Sequence, residues 1–310
     1  MTAASEMRRN FRGERVNATN QPRRNPSAGA TAIPRPVDRV AVRPWLVLSI
    51  AMAVVAVVAS VIGLSVDRIY ESETPELLAQ ALAQDAVNVA IVAPGIVITA
   101  VLALRGSLRA YLLWLGLLTF EAYNYVIYTV GIQFGPLFLV WVAILAVALY
   151  ALIAGLVLTD VRHLRAEFVD GRWRSTAGWF LIVVGALFAL LWLREIMPAT
   201  IRDEPLESAG DVGWPSNIVH VLDLAFFLPA VIAGGFLLCR RHPIAYVAAP
   251  AMLVFIITTG LPIMTTPIVK TLRDESTSWA VVAPIGAITL AATGVLVWSL
   301  GHLSDSFEKS

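Results

Sequence analysis

Long apolar segments recur along the chain and are separated by short polar segments. A helix of about 20 apolar residues crosses the hydrocarbon core of a bilayer. On this measure the pattern predicts eight membrane-spanning helices, at residues 44–66, 86–104, 110–130, 136–158, 177–197, 217–239, 244–268 and 279–302. The second is the least regular of them, because it is short and is interrupted by Pro94 and Gly95.

The composition of the chain agrees with this pattern. Of the 310 residues, 58% are hydrophobic and 15% are charged, whereas about 25% of the residues of a soluble domain are charged. We therefore predict an all-α protein, a polytopic transmembrane helix bundle that is surrounded by the lipid bilayer. The single cysteine, Cys239, excludes an intrachain disulfide and any multi-cysteine metal or cluster site. The net charge of +1 gives no indication of a nucleic-acid partner.

Three regions of the chain differ in composition. Residues 1–43 are polar, rich in arginine and proline, and too poor in apolar side chains to offset the entropy of ordering. We expect a disordered basic cytoplasmic tail there, suited to contact anionic lipids. Residues 44–303 are predicted to form the helix bundle, and residues 304–310 a short second cytoplasmic tail.

The charged residues alternate between the two sides of the predicted bundle. Most of the 23 basic residues fall in the N-terminal tail and in loops on the same side as that tail. The loops on the opposite side are acidic and include Glu71, Glu73, Asp203 and Glu204. Because loops rich in lysine and arginine stay in the cytoplasm, we predict that both termini are cytoplasmic.

The third predicted span carries a polar face. Asn124, Tyr125 and Tyr128 follow Glu121 by three, four and seven residues, which places all four on one side of a helix. At a rise of about 1.5 Å per residue, Glu121 lies near the middle of the span and Tyr128 near its outer end. An acidic side chain at the centre of a membrane helix costs roughly 2.5–3.5 kcal/mol and usually marks a pathway, a relay or a buried pair.

The sixth predicted span carries His220 and Asp223, one helical turn apart in its outer third and shortly after Asn217. This span runs antiparallel to the third, so Asp223 lies at the depth of Tyr125 and His220 at the depth of Tyr128. If the two helices are neighbours, their polar faces meet. We then expect a pocket open to the extracytoplasmic side that binds or transports a small polar solute, a proton or a cation.

Three alternatives fit the same residues. His220, Asp223 and Glu121 offer a mixed nitrogen and oxygen ligand set suited to zinc or iron, which would make the protein a membrane-embedded metal-assisted enzyme. The polar side chains could instead only hold helices together by hydrogen bonds. The chain could also be a sensor or assembly subunit whose tail and loops contact a partner.

Signatures of cofactor-dependent proteins are missing from the sequence. The remaining histidines, His163, His242 and His302, fall on the predicted cytoplasmic side, so we expect no bis-histidine haem within the membrane. No lysine lies within a predicted span to hold retinal. No Walker A motif and no glycine-rich dinucleotide fingerprint occurs.

Two runs of sequence resemble a known group of proteins. Residues 123–139 begin Tyr-Asn-Tyr-Val-Ile-Tyr, and residues 220–229 read His-Val-Leu-Asp-Leu-Ala-Phe-Phe-Leu-Pro and are followed by Arg-Arg-His-Pro at 240–243. Together they resemble a group of uncharacterised bacterial polytopic integral membrane proteins. The resemblance covers most of the spans. It implies a bacterial cytoplasmic membrane and brings with it no activity and no functional residue.

Overall fold

The computed structural model of the chain describes residues 36–304. Two short helices, Val161–Ala166 and Glu207–Asp211, lie in loops. The prediction of an all-α polytopic helix bundle is confirmed. Eight long helices form it: α1 Arg39–Ser65, α2 Pro75–Leu104, α3 Leu108–Gly131, α4 Phe138–Val157, α5 Arg172–Arg202, α6 Ile218–Cys239, α7 Ala245–Leu272 and α8 Trp279–Gly301.

Helix α3 differs from the other seven in its environment. Those seven are long and apolar enough to cross a membrane by length and composition. Helix α3 has 24 residues, which is also long enough, but it carries polar side chains such as Glu121 and Asn124. Most of its residues are buried within the bundle. Because other helices surround α3 where lipid would otherwise lie, it tolerates the side chains that lower its hydropathy.

Contacts at both ends of α3 show that it runs antiparallel to α4. Near its start, the Tyr111 hydroxyl donates a hydrogen bond to the carbonyl oxygen of Gly155, close to the end of α4, at 2.7 Å. Near its end, the ring of Tyr128 packs edge-on against Trp141, close to the start of α4, with centroids 5.3 Å apart. Helix α3 therefore traverses the bundle in alternation with its sequence neighbours.

Helix α1 begins five residues earlier than the hydrophobic pattern predicted. Asp38 caps it, because its carboxylate accepts hydrogen bonds from two amides of the first turn at 3.1 Å each. Residues 39–43, which we predicted as part of the tail, are therefore helical. Residues 1–35 of the predicted tail, where we expected contact with anionic lipids, lie outside the described residues, as do residues 305–310.

Helix α2 also begins earlier than predicted. The Thr74 hydroxyl accepts a hydrogen bond from the amide of Leu77 at 3.2 Å, and Pro75 occupies the first helical position. Both residues are favourable at a helix start. Neither carries a hydrophobic signal, which is why the apolar pattern alone placed the start at residue 86.

Helices α2 and α6 each contain one widened, π-helical turn. These turns are Asn88–Val92 and Asp223–Phe227. Each ends two residues before a proline, Pro94 in α2 and Pro229 in α6. Proline has no amide hydrogen, and its ring clashes with the carbonyl four residues earlier, so a local widening relieves the conflict. Such turns are frequent at functional sites.

Both ends of the described chain lie on one face of the bundle. The Asp160 amide donates to the carbonyl oxygen of Pro36 at 2.7 Å, and the Arg109 guanidinium donates to the carbonyl oxygen of Leu303 at 3.0 Å. We call this the arginine-rich face. It is formed by residues 36–38, 105–107, 158–171, 240–244 and 302–304.

The remaining loops lie at the opposite ends of the helices. The amide of Gln133 donates to the Glu73 carboxylate at 2.8 Å, which joins two of these loops. The Trp214 indole donates to the carbonyl oxygen of Gly131 at 2.8 Å and joins a third loop to the end of α3. We call this side the acidic face. It is formed by residues 66–74, 132–137, 203–217 and 273–278.

Candidate functional site

Glu121 lies about halfway along α3, and its side chain is 0% exposed. Neither carboxylate oxygen has a hydrogen-bond partner within residues 36–304. Buried carboxylates normally accept hydrogen bonds or lie beside a cation. The Tyr125 hydroxyl, one turn further along α3, is close enough to interact with Glu121 electrostatically. Glu121 is therefore a buried acid for which the surrounding helices provide no structural role.

A second buried carboxyl, Asp85, lies in α2 three residues before the π-helical turn, and it is 2% exposed. It accepts a hydrogen bond from the Tyr70 hydroxyl at 2.6 Å and one from the Tyr128 hydroxyl at 3.1 Å. The hydroxyl of Ser60 on α1 lies beside it as well. Asp85 is thus held by α1, α3 and the loop between α1 and α2.

Asn88 connects the surroundings of Asp85 to those of Glu121. Its amide nitrogen donates to the Ser60 hydroxyl at 2.9 Å and to the Tyr125 hydroxyl at 3.2 Å. Ser60 in turn lies next to both Asp85 and Tyr125. We call the connected set of polar residues the Asp85 cluster; its members are Ser60, Tyr70, Asp85, Asn88, Tyr125 and Tyr128.

Tyr70 is the member of the Asp85 cluster nearest to the acidic face. It follows a short 3-10 turn, Asp67–Ile69, and is 2% exposed. Burial and the adjacent Asp85 carboxyl raise the pKa of the Tyr70 phenol well above its ordinary value, so the phenol keeps its proton and acts as a donor. Gly63 of α1 makes room for this pair, because a Cβ atom there would lie 2.7 Å from the Tyr70 hydroxyl and would also meet the Asp85 carboxylate.

His220 and Asp223 face α5. The Trp192 indole donates to Asp223 Oδ2 at 2.8 Å, and the rings of Trp192 and His220 pack with centroids 4.4 Å apart. His220 Nε2 lies 3.7 Å from Glu195 Oε2. From α3, Tyr123 lies next to Asp223. We call Tyr123, Trp192, Glu195, His220 and Asp223 the His220 cluster.

The structure separates the predicted site residues into two groups. Helices α3 and α6 are neighbours, as we assumed, but the polar face of α3 does not meet His220 and Asp223. Tyr125 and Tyr128 bond to residues of α2. The expectation of one shared pocket between α3 and α6 is corrected to two clusters.

Helical geometry explains this separation. Tyr123 projects from nearly the opposite side of α3 to Glu121 and Tyr125, and it is Tyr123 that lies next to Asp223. Asn124, on the predicted polar face, is buried at 4% exposure. Ligand binding by these residues stays a prediction.

The predicted metal-ligand set does not converge. Within residues 36–304, no group of three or more histidine, cysteine, aspartate or glutamate side chains is placed to hold a metal ion. Glu121 projects from the side of α3 that faces the Asp85 cluster, whereas His220 and Asp223 lie near the other side. The sequence could not reveal this, because it fixes spacing along one helix but not the rotation of one helix against another.

Four members of the Asp85 cluster, Ser60, Tyr70, Asp85 and Asn88, were not among the predicted site residues. Asp85 and Tyr70 were assigned to an outer loop, because the apolar run begins only at residue 86, and Ser60 was regarded as part of an apolar span. One signal was available. Asp85 and Asn88 are three residues apart, like His220 and Asp223, and in each pair the second residue precedes a proline by six positions.

The fold defines the class of protein, a multi-pass integral membrane protein with ionisable side chains buried among its helices. Comparisons with protein-family models, with curated proteins and with solved structures found no match. The geometry of the two clusters and of Glu121 is therefore what indicates the function.

Proposed function

We propose that the protein takes up protons from the acidic face and delivers them to Glu121, as a proton-binding or proton-transporting protein of the bacterial cytoplasmic membrane. The observation that carries this proposal is the position of Glu121. It is a fully buried acid at mid-depth, without a hydrogen-bond partner in the described part of the chain. An isolated carboxylate in an apolar medium is so unfavourable that the group binds a proton instead.

The Asp85 cluster provides the route to Glu121. From the acidic face inward, the polar groups are Tyr70 with Tyr128, then Asp85, then Ser60, then Tyr125. Hydroxyls both donate and accept hydrogen bonds, and a carboxyl can gain or lose a proton, so this series can pass protons along. Asn88 holds the Ser60 and Tyr125 hydroxyls side by side by donating to both.

The number of ligands favours a proton over a metal cation. Hard cations such as calcium take six to eight oxygen ligands, and magnesium takes about six. Glu121 has no other oxygen bonded to it within residues 36–304. A proton needs only the carboxylate itself. The alternatives of a metal-assisted enzyme and of a sensor or assembly subunit have no comparable supporting geometry.

The charge distribution supports an orientation for this uptake. The arginine-rich face contains the basic loops, which stay in the cytoplasm in most membrane proteins. We therefore propose that the arginine-rich face and both termini are cytoplasmic, and that protons enter from the extracytoplasmic, acidic face.

Proton flux into liposomes tests the proposed function. Purified protein is reconstituted with a pH-sensitive dye inside the vesicles, the membrane potential is clamped, and the external pH is stepped down. We expect wild-type protein to admit protons, and Glu121→Gln and Asp85→Asn to reduce the flux to that of empty vesicles. Glu204→Gln, an exposed carboxyl of the acidic face, is the matched control and should retain wild-type flux. Equal flux in wild type and Glu121→Gln would refute proton transport through Glu121.

The stability of Glu121→Gln separates a proton site from a structural ion pair. Glutamine keeps the size of the side chain and removes the charge. If Glu121 has no charged partner, unfolding in detergent should occur at the same temperature as in wild type or a higher one. Loss of one member of a buried ion pair would instead destabilise the fold by about 3–5 kcal/mol.

A further inference from the structure

The two halves of the described chain begin and end in the same way. Val37, before α1, forms an isolated antiparallel bridge with Thr159, after α4. Phe168, before α5, forms an equivalent bridge with Leu303, after α8. Two amide-to-carbonyl hydrogen bonds accompany each bridge, at 3.3 and 2.7 Å in the first half and at 2.9 and 2.8 Å in the second. Each bridge therefore closes a unit of four helices on the arginine-rich face.

Helix α6, with 22 residues, matches the last 22 of the 30 residues of α2 without a gap. Several backbone features of α2 recur in α6, always the same number of residues further along the sequence. We call this number, which is the separation between Asn88 and Asp223, the repeat spacing. The recurring features are the first residue of the π-helical turn, Asn88 and Asp223; the following proline, Pro94 and Pro229; and the residue that ends the helix, Arg105 and Arg240.

The turns that follow these two helices match as well. Gly106 has a φ of 101° and Arg241, at the repeat spacing, has a φ of 59°. A side chain in this left-handed region is disfavoured, and arginine has no local hydrogen bond that would favour it there. That the turn keeps its shape with either residue indicates that the architecture of the unit, not the local sequence, determines it.

Equivalent residues of the two halves meet at the centre of the molecule. A Cβ atom on Gly116 of α3 would lie 3.0 Å from the carbonyl oxygen of Ala251 on α7. Gly116 and Ala251 are themselves separated by the repeat spacing. Contact between equivalent residues is what a two-fold axis between two like units produces.

We infer that residues 36–160 and 167–304 are two copies of one four-helix unit, and that the His220 cluster is the second copy's version of the Asp85 cluster and a second proton-binding site. The inference rests on the proposed function for the identity of the ligand, a proton. Nothing in the hydrophobic pattern alone required the two clusters to be related.

The residues of the two clusters occupy equivalent positions. At the repeat spacing, Glu195 replaces Ser60 on the first helix of the unit. On the second helix, His220 and Asp223 replace Asp85 and Asn88. In the first unit the Ser60 hydroxyl lies beside both Asp85 and Asn88. In the second unit Glu195 lies beside His220, and Trp192 links His220 to Asp223. The site has thus kept its place while its side chains changed.

The second copy lacks the deep part of the route. At the position of Glu121 it has Ile256, and at the position of Tyr125 it has Gly260. The His220 cluster can therefore exchange protons with the acidic face but offers no onward path to mid-depth. The second copy would bind a proton without passing it on.

A proton suits the chemistry of the His220 cluster. Histidine is the side chain that changes charge near neutral pH. The groups that face His220 are Trp192 and Glu195 from α5, and Asp223 and the capping residue Asn217 from its own helix. Tyr123 approaches the same cluster from α3. The charged residue of α7, Lys270, is paired with Glu76 of α2 and so does not reach the site.

Infrared difference spectroscopy with isotope-labelled histidine tests this inference. The labelled protein is measured in detergent, and the spectrum at pH 8 is subtracted from the spectrum at pH 5. We expect the difference spectrum of wild type to contain the marker bands of His220 changing between imidazolium and imidazole. The spectrum of His220→Gln should lack the His220 bands and keep the bands of His163, His242 and His302. Glu195→Gln keeps the imidazole and should alter the His220 bands, which guards against misfolding of the His220 variant.

Identical difference spectra in wild type and His220→Gln would overturn the inference, because His220 would then hold one protonation state throughout. Unaltered His220 bands in Glu195→Gln would also overturn the inference. Glu195 would then not act on His220, and it could not be the counterpart of Ser60 in the second site. The same spectra recorded on Glu121→Gln should show the His220 bands unchanged. This keeps the outcome separate from that of the flux experiment, which concerns Glu121 alone.

Discussion

At the scale of the residue, the buried acids differ in how the protein surrounds them. Asp85 accepts two tyrosine hydroxyl hydrogen bonds, and Asp223 accepts one from an indole, whereas Glu121 has no partner in the described residues. A buried acid that accepts hydrogen bonds stabilises the fold and can also relay protons. An unsatisfied acid costs stability and is retained only if it does something else. Glu121 is therefore the buried acid that most strongly indicates a function.

Tyr70→Phe tests how firmly Asp85 is held. The substitution removes the hydroxyl that donates to Asp85 Oδ2 at 2.6 Å. Leaving a buried acceptor short of a donor costs about 1–3 kcal/mol, and we expect that loss in the free energy of unfolding measured in detergent. Tyr150→Phe, at a tyrosine that is 60% exposed, is the control and should leave stability unchanged. Equal stability of the two variants would contradict the role given to Tyr70.

The same tyrosine predicts a dependence of stability on pH. Burial raises the pKa of the Tyr70 phenol in the folded protein, whereas in the unfolded chain a phenol ionises at about pH 10. The folded state therefore holds this proton longer, so its contribution to stability is complete below about pH 10 and is lost above it. Wild type should lose stability more steeply than Tyr70→Phe above that pH.

The sequence predicted well which ionisable residues are buried, but it predicted poorly which side chains contact them. Glu121, His220 and Asp223 are all buried, as expected for ionisable residues within spans. Their partners came from elsewhere in the chain, such as Trp192 and Glu195 for the His220 cluster. Spacing along a helix predicts which residues share a face, but the neighbour of that face depends on tertiary packing.

At the scale of the element, α3 and α7 hold the two units together. Their contact is close at Gly116, where an added Cβ would also press against the side chain of Val254. A glycine in a helix interior lowers stability relative to alanine in isolation. Its presence here is explained by the approach of the neighbouring backbone, which a larger residue would prevent.

Gly116→Ala is therefore expected to destabilise the protein despite the better helix propensity of alanine. Overpacking at a tight contact costs about 1–3 kcal/mol, measurable as a lower unfolding temperature in detergent. Gly294→Ala in α8 is the matched control, because nothing lies within 4 Å of its added Cβ. That variant should be neutral or slightly stabilised. A stabilised Gly116→Ala would show that α3 and α7 are not in close contact.

At the scale of the whole molecule, hydrophobic runs and charge alternation predicted the number and order of the helices. They did not reveal the two-fold repeat. At the repeat spacing most side chains differ, as at Glu121 and Ile256. What recurs is backbone geometry, namely the π-helical turns and the bridges at Thr159 and Leu303. Such features form with many sequences, so side-chain patterns alone carry little trace of them.

The path of the chain through the membrane depends on whether α3 crosses it. By composition alone seven helices qualify as spans, and a chain in which α3 did not cross would place Glu71 and Asp203 on opposite sides. The structure, in which α3 runs antiparallel to α4, places both residues on the acidic face.

Cysteine labelling of intact cells decides between these arrangements. The native Cys239 is replaced by alanine, and single cysteines are introduced at the exposed positions Glu71, Asp203 and Asp170. We expect a membrane-impermeant maleimide to label the first two from outside, and Asp170→Cys to react only after the cells are opened. Labelling of Glu71→Cys together with protection of Asp203→Cys would mean that α3 does not span, because only an odd number of crossings between them separates the two residues. Protection of both, with Asp170→Cys labelled, would leave the eight-helix path intact and reverse the proposed orientation, so that protons would enter Glu121 from the cytoplasm.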